Sequence, residues 1–313
     1  MVENNQRLPK VFIDGSEGTT GLQIFDRLSA RDDISLLRIN ESQRKDAAER
    51  KKMLNSADIV FLCLPDDAAR EAVSFIENDD TRVIDASTAH RTSLGWVYGF
   101  PEIAKRRAKI ARAKRVANPG CHATGVIATV FTLIESGVLP RDYPLTCISI
   151  TGYSGGGKPM IRAYEEEKTP GMSSPGLYGL SQQHKHLREI TVVTGLTPPV
   201  FCPIVADYYS GMATTIALHN KILAGTPSTE DIRRLLADYY DGERFITVAP
   251  QPGSGTLYGN RGAGSNMLEI TVSGNNERTT VTACFDNLGK GASGAAVQNM
   301  NIMLGMDEGL GLE

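Results

Sequence analysis

The chain has 313 residues, 41% of them hydrophobic and 22% charged. That length corresponds to about two domains with room for a core. Its 33 Lys+Arg against 36 Asp+Glu leave no overall positive field to recruit nucleic acid or an anionic membrane. No stretch approaches the roughly 20 apolar residues that span a bilayer, and the polar segment Met1–Lys10 lacks the apolar centre of a signal peptide. Five Cys without a C-x-x-C pair argue against a disulfide framework or a structural zinc. The expectation is a cytoplasmic protein with no metal and with neither nucleic acid nor membrane as partner.

Strand and helix patterns alternate over the first 120 residues. Lys10–Asp14 is a short apolar run that stops at glycines and reads as a strand. Gly21–Ala30 then has helical spacing through Leu22, Phe25 and Leu28. A second strand is expected over Ile34–Ile39, a charged helix over Lys45–Asn55, and a strand buried on both faces over Asp58–Leu64. A helix over Asp67–Glu77 and a strand over Arg82–Asp85 follow, and the basic run Lys105–Arg115 reads as a solvated helix face. Repeated βα units imply an α/β, doubly wound parallel sheet, whose ligands sit at the carboxyl ends of the strands. After residue 120 the pattern changes. A helix over His122–Glu135 precedes strands at Leu145–Thr151, Phe201–Ala206, Ala213–Leu218, Asn266–Val272 and Thr279–Phe285, the last two joined by a Gly/Asn hairpin turn. This half reads as an α+β domain on a mixed or antiparallel sheet. A final helical stretch over Gly291–Leu304 is expected to return to the first domain. The expected division is therefore 1–120 with 288–313, and 121–287.

Asp14-Gly15-Ser16-Glu17-Gly18-Thr19-Thr20-Gly21 joins the first strand to the first helix with G-x-x-G-x-x-G spacing. Glycines let the backbone approach a pyrophosphate, and the helix start offers it free N–H groups. A plain tight turn is the bland alternative; the strand-turn-helix setting favours a dinucleotide. Gly15, Ser16, Gly18, Thr19, Thr20 and Gly21 are the expected contacts, with Pro65 and Ser87 at the ends of later strands. After the second strand, Ser42, Arg44 and Lys45 suit the 2′-phosphate of NADP, whereas Glu41 suits the 2′-hydroxyl of NAD.

Cys63, Cys147, Cys202 and Cys284 lie in apolar strands and read as inert. Cys121 follows Asn118-Pro119-Gly120 and opens a helix. There, unpaired N–H groups are expected to favour the thiolate. A thiolate beside a nicotinamide implies attack on an activated acyl carbon, a thioester, and its reduction to an aldehyde. That chemistry needs a base. His90 and His219 read as surface residues. His122 neighbours Cys121, but adjacent helical residues point about 100° apart, so it is not expected to face the thiol. If the segment is extended, His184 and His186 point the same way, so that one can reach the sulfur while Glu189 orients or screens the other. The glycine loop Thr151–Lys158 offers bare N–H groups and Lys158 to an anion, or is simply a flexible connection. Arg91 and Arg162 are candidates for a substrate carboxylate.

These motifs resemble the N-acetyl-γ-glutamyl-phosphate reductase family in its shorter form. The resemblance is carried by Gly15–Gly21, Val83–Ser87, Tyr98–Glu102, Asn118–Cys121, Thr151–Lys158, His184–Glu189 and Asn287–Asn301. It implies a Rossmann domain joined to a glyceraldehyde-phosphate-dehydrogenase-like second domain. It implies NADPH-dependent reduction of an acyl phosphate to N-acetylglutamate 5-semialdehyde, in a homo-oligomer (dimer or tetramer) built on the second domain's sheet. In this pattern Cys121 is the nucleophile and His184 the base. Ser154, Tyr178, His186 and Glu189 surround the substrate, and Asn287, Gly289, Lys290 and Gly291 belong to the cofactor site. Two departures stand out: His122 replaces the usual aromatic residue, and Leu187-Arg188 replaces a proline-containing step. The rivals are aspartate-semialdehyde dehydrogenase, with the same fold and chemistry, a non-catalytic dinucleotide sensor, and a cysteine hydrolase indifferent to nucleotide.

Overall fold

The computed structural model describes residues 7–250 and 255–313, so the polar stretch read over residues 1–10 lies partly outside the described residues. Within β1 (Lys10–Asp14), Val11 and Ile13 face one apolar cluster and Phe12 the other. β3 (Ile59–Leu62) repeats the alternation, with Ile59 and Phe61 on one side and Val60 and Leu62 on the other. This is the period-two geometry of a strand covered on both faces. Together with β2 (Ser35–Leu37), β4 (Arg82–Asp85), β5 (Val97–Tyr98) and β6 (Arg115–Ala117), they make a six-stranded sheet in the order β2-β1-β3-β4-β6-β5. Every pairing in it is parallel. α1 (Thr19–Ser29), α2 (Ala47–Ser56), α3 (Asp66–Ser74) and α4 (Arg106–Arg112) connect the strands. The strand order reverses between β1 and β3, so the crevice of such a sheet opens where the glycine turn leaves β1.

The second sheet holds β7 (Thr146–Gly152), β8 (Gly176–Leu177), β9 (Val200–Ala206), β10 (Met212–His219), β11 (Ile246–Val248), β12 (Leu268–Gly274) and β13 (Arg278–Phe285). Their order is β11-β12-β13-β10-β7-β9-β8. It is mixed, because β7–β9 and β11–β12 pair parallel and the other pairs antiparallel. α5 (Cys121–Glu135) is buried from His122 to Ile134, as a helix enclosed on all sides must be. With α7 (Lys185–Thr194) and α8 (Thr229–Tyr239) it covers one face of this sheet. α6 (Gly157–Glu165) stands at the cleft edge. α9 (Gly294–Leu304) runs back onto the first sheet, where Ala296, Val297 and Met300 join the cluster of Val11 and Ile13.

Three local expectations are corrected. β5 and β6 escape the sequence because strands of two and three residues carry too few positions to show a period. The helix expected from Gly291 begins at Gly294, preceded by a π-helical turn over Gly289–Ser293. The His184–His186 segment is not extended. His184 caps α7, its Nδ1 accepting the His186 N–H at 3.3 Å, and buried Leu187, Ile190 and Thr194 then fall on one helical face.

Lys290 is nearly inaccessible, and its Nζ donates to Glu102 Oε1 and Gln298 Oε1, each at 2.6 Å. Removing one partner of a buried pair leaves the other charge uncompensated. Lys290→Ala is expected to cost about 3–5 kcal/mol, read as a lower urea midpoint. An unchanged midpoint contradicts this.

Candidate active site

A cleft of about 320 Å³ opens where the carboxyl edge of the parallel sheet meets β7, α5 and α7. On the nucleotide side, Gly15 has φ +91°, and a Cβ there would fall 2.4 Å from the Cys63 carbonyl oxygen. A Cβ at Gly21 would strike the Gly15 oxygen at 2.3 Å. The turn is therefore closed to side chains on its inner side. No side chain caps α1 at Gly18, so its first N–H groups stay open where Thr19 and Thr20 line the cleft. This bare turn and uncapped helix fit a dinucleotide phosphate.

Cys121 is the first residue of α5 and lines the same cleft. A Cβ on Gly120 would lie 2.4 Å from His186 Nε2 and 2.3 Å from Arg91 Nη1, so glycine alone lets both groups press against this turn. Glu189 holds the arrangement from behind. Its Oε1 accepts the Gly120 N–H at 2.8 Å and the Tyr98 hydroxyl at 2.6 Å, and its Oε2 meets Arg91 Nη1 at 3.1 Å. Arg91 also donates to the Asn118 and Ala86 carbonyls. Gly291 closes the far side, since a Cβ there would come within 3.0 Å of the Cys121 Cβ.

The electrostatics overturn the expected thiolate. Burial pushes the Cys121 thiol above its ordinary 9.0, while the His122 backbone N–H and Arg91 pull it partly back. Burial also lowers His184, to about 4, with Lys185 adding to the effect, and takes His186 well below its ordinary value, with Arg91 adding. At neutral pH the cleft rests as a thiol among neutral imidazoles.

Of the other expected residues, Ser154, Tyr178 and Asn287 line the cleft, with Ser154 Oγ accepting from Asn287 Nδ2 at 3.0 Å. Others lie elsewhere. Glu189 is spent on the Cys121 turn. Lys158 is exposed on the first turn of α6 and does not line the cleft. Lys290 is enclosed with Glu102, and Gly289 packs against the Ser265 carbonyl. Arg162 pairs with Glu166 and Glu167 at the surface. Ser87 Oγ donates to Asp85 and Pro65 caps α3, both at the carboxyl edge of the sheet. Beyond β2, Ser42 donates to Asn40, and exposed Arg44 approaches Glu17 at 3.9 Å. Arg38, at the end of β2, stacks over Phe25 and shares a small cavity with Ser16.

Comparison with known proteins places the chain. The semialdehyde dehydrogenase NAD-binding domain matches residues 10–112, and the semialdehyde dehydrogenase dimerisation domain matches residues 121–287. N-acetyl-gamma-glutamyl-phosphate reductase 2 of Nostoc sp. is 50% identical, over 97% of this chain and 99% of the relative. The protein of that name from Pseudomonas putida is 48% identical, over 95% and 97%. The chain belongs to the N-acetyl-γ-glutamyl-phosphate reductase family. In fold it is similar to aspartate semialdehyde dehydrogenase II from Vibrio cholerae, solved with ASA (TM-score 0.72, 13% identity, 96% of this chain and 99% of that one). It is also similar to a probable aspartate-semialdehyde dehydrogenase from Pseudomonas aeruginosa (TM-score 0.73, 14% identity, 95% and 99%).

Two residues of this reductase-family cleft lie outside the site expected from the sequence. Lys185 lines it, exposed, between the two histidines. Helix geometry alone predicts that His122 does not face the sulfur. The cleft wraps round the first turn of α5, however, and both residues line it. Its ring lies 5.4 Å from His184 and 5.6 Å from His186. A histidine opening a wholly buried helix has to find hydrogen-bond partners, and that was the available signal.

Because the thiol is raised, alkylation of Cys121 by iodoacetamide should accelerate with pH and keep rising past pH 9.0. A plateau reached near neutrality contradicts it.

Proposed function

We propose that the chain reduces N-acetyl-L-glutamyl 5-phosphate to N-acetyl-L-glutamate 5-semialdehyde and phosphate with NADPH, a step of arginine biosynthesis in the cytoplasm. The observation that carries this reading is one cleft in which Cys121 faces both the glycine turn and the His184–His186 pair. The names of the full-length relatives supply the substrate.

In this reading Cys121 Sγ attacks the acyl carbon. His186 takes the thiol proton, since its Nε2 lies against the Gly120–Cys121 turn. His184 was the expected base, but its Nδ1 is occupied as the cap of α7. Its neutral ring therefore carries the proton on Nε2, a donor suited to the leaving phosphate, and Lys185 stands beside it. A bound dinucleotide would supply hydride chemistry to this cleft. The Gly15–Gly21 turn with Thr19 and Thr20 would hold its pyrophosphate. Arg38, with Ser16, Ser42 and Arg44, would favour the 2′-phosphate of NADP. Arg91, already committed to Glu189 and two carbonyls, is a positioning residue.

The same reading divides the chain into 1–120 with 288–313, and 121–287. It also makes the protein a homo-oligomer. Leu177, Ile148 and Val200 are 51%, 42% and 55% exposed, and strand register puts them with Ile204 and Cys202 on the sheet face opposite α5. An apolar sheet face of this kind suits a second copy. No helix among the described residues is long and apolar enough to cross a membrane.

Phosphate-dependent reduction of NADP and NAD, assayed with N-acetylglutamate and aspartate semialdehydes, tests the proposal. The acetylated substrate and NADP should be preferred, and Cys121→Ser should abolish turnover. Preference for the aspartate compound, or activity without nicotinamide, overturns it.

A further inference from the structure

From the cleft wall inward runs a chain of four hydrogen-bonding side chains. The Tyr178 hydroxyl meets His122 Nε2 at 2.6 Å, and His122 Nδ1 meets Ser149 Oγ at 2.7 Å. Ser149 Oγ meets Thr214 Oγ1 at 2.8 Å. Ser149 and Thr214 are wholly inaccessible and His122 is 3% exposed, whereas Tyr178 lines the cleft with Cys121. A neutral imidazole donates from one nitrogen and accepts at the other, so the chain has one of two polarities.

Its buried end selects between them. Among the described residues, Thr214 Oγ1 has no hydrogen-bond partner other than Ser149. If Tyr178 donated to His122, each hydrogen would shift inward, and the Thr214 hydrogen would be left without an acceptor in a dry interior. If Thr214 donates to Ser149 and Ser149 to His122 Nδ1, every hydrogen is accepted. His122 Nε2–H then donates to the Tyr178 oxygen, and the phenolic hydrogen is free to point into the cleft. His122 stays neutral because burial holds its pKa down at about 3. Burial raises the Tyr178 phenol, and the nearby sulfur would raise it further once ionised.

We propose that Tyr178 is a catalytic hydrogen-bond donor to the substrate carbonyl oxygen, and that His122 is the positioning residue that turns its hydrogen toward that oxygen. As the Cys121 sulfur–carbon bond forms, the carbonyl π pair moves to oxygen, which Tyr178 stabilises. The pair returns as the carbon–oxygen bond to phosphate breaks, and phosphate leaves with those electrons. After hydride addition to the thioester carbon, the same oxygen is negative again. Its collapse breaks the carbon–sulfur bond, releasing the aldehyde and the Cys121 thiolate. The donor thus serves where charge develops rather than in the ground state.

The proposal rests on Cys121 as nucleophile, and its test separates the two. Side-chain 15N NMR of the native enzyme, with His122 assigned by comparison with His122→Phe, reads the tautomer without turnover. The expected tautomer carries hydrogen on Nε2. Tyr178→Phe should lower kcat on the order of 100-fold, as loss of one oxyanion donor does, with KM little changed. His122→Phe should lower kcat about tenfold, and His122→Gln, whose amide N–H replaces Nε2–H, should restore most of it. A tautomer protonated on Nδ1, or a Tyr178→Phe kcat within about threefold of native, overturns the proposal. Turnover persisting in Cys121→Ser overturns the nucleophile instead and leaves the tautomer result standing.

Discussion

The carboxylate of Glu189 receives three donors from three parts of the chain: the Gly120 N–H ahead of Cys121, the Tyr98 hydroxyl from the parallel sheet, and the Arg91 guanidinium from the loop after β4. Glu189 sits on α7, one turn beyond His186. One buried charge therefore fixes the helix that carries the imidazoles against the turn that carries the sulfur, and fixes both against the nucleotide-binding sheet. A carboxylate 2% exposed is tolerated only when its lone pairs are answered in this way. The glycine at 120 is the counterpart of that clamp, since any side chain there would displace His186 and Arg91.

Burial also sets the charge state of the cleft. The thiol is held up and His122, His184 and His186 are held down, so the sulfur and the imidazoles rest uncharged beside the cations Lys185 and Arg91. The prepared elements are dipoles: the open N–H groups of α1, the start of α5 at Cys121, and the chain ending in Tyr178. Negative charge develops on the sulfur and the carbonyl oxygen as the acyl group reacts. Preorganised dipoles in a site shielded from water are most effective against such developing charge, and shielding also protects a thioester from hydrolysis.

The first sheet was largely legible, because its strands announce themselves by apolar runs ending at Gly15 and Pro65 and period-two burial enforces them. Arg82–Asp85 came out to the residue. Cys121 was legible from Pro119-Gly120 before a helical run. Its thiolate was not, because a helix start is a local signal and desolvation depends on everything packed around it. The conformation of the 184–189 segment is not legible because His-x-His has no period of its own; the cap at His184 and the apolar face of α7 decide it. Lys290 and Glu189 looked like ligand-binding groups, since a charge in a glycine-rich or histidine-rich motif invites that reading. Their partners Glu102, Tyr98 and Arg91 lie far away in sequence, which no local pattern reports. His122 reaches the cleft because the cleft curves round the first turn of α5, a property of the assembled fold that the direction of one side chain does not report.

The most direct test of a nucleophilic sulfur at the start of α5 is peptide mass spectrometry after the native protein meets N-acetylglutamyl phosphate without nucleotide. The expected result is an N-acetylglutamyl adduct confined to the peptide containing Cys121 and removed by hydroxylamine. An unmodified Cys121, or an adduct carried by Cys63 or Cys202 instead, would contradict it.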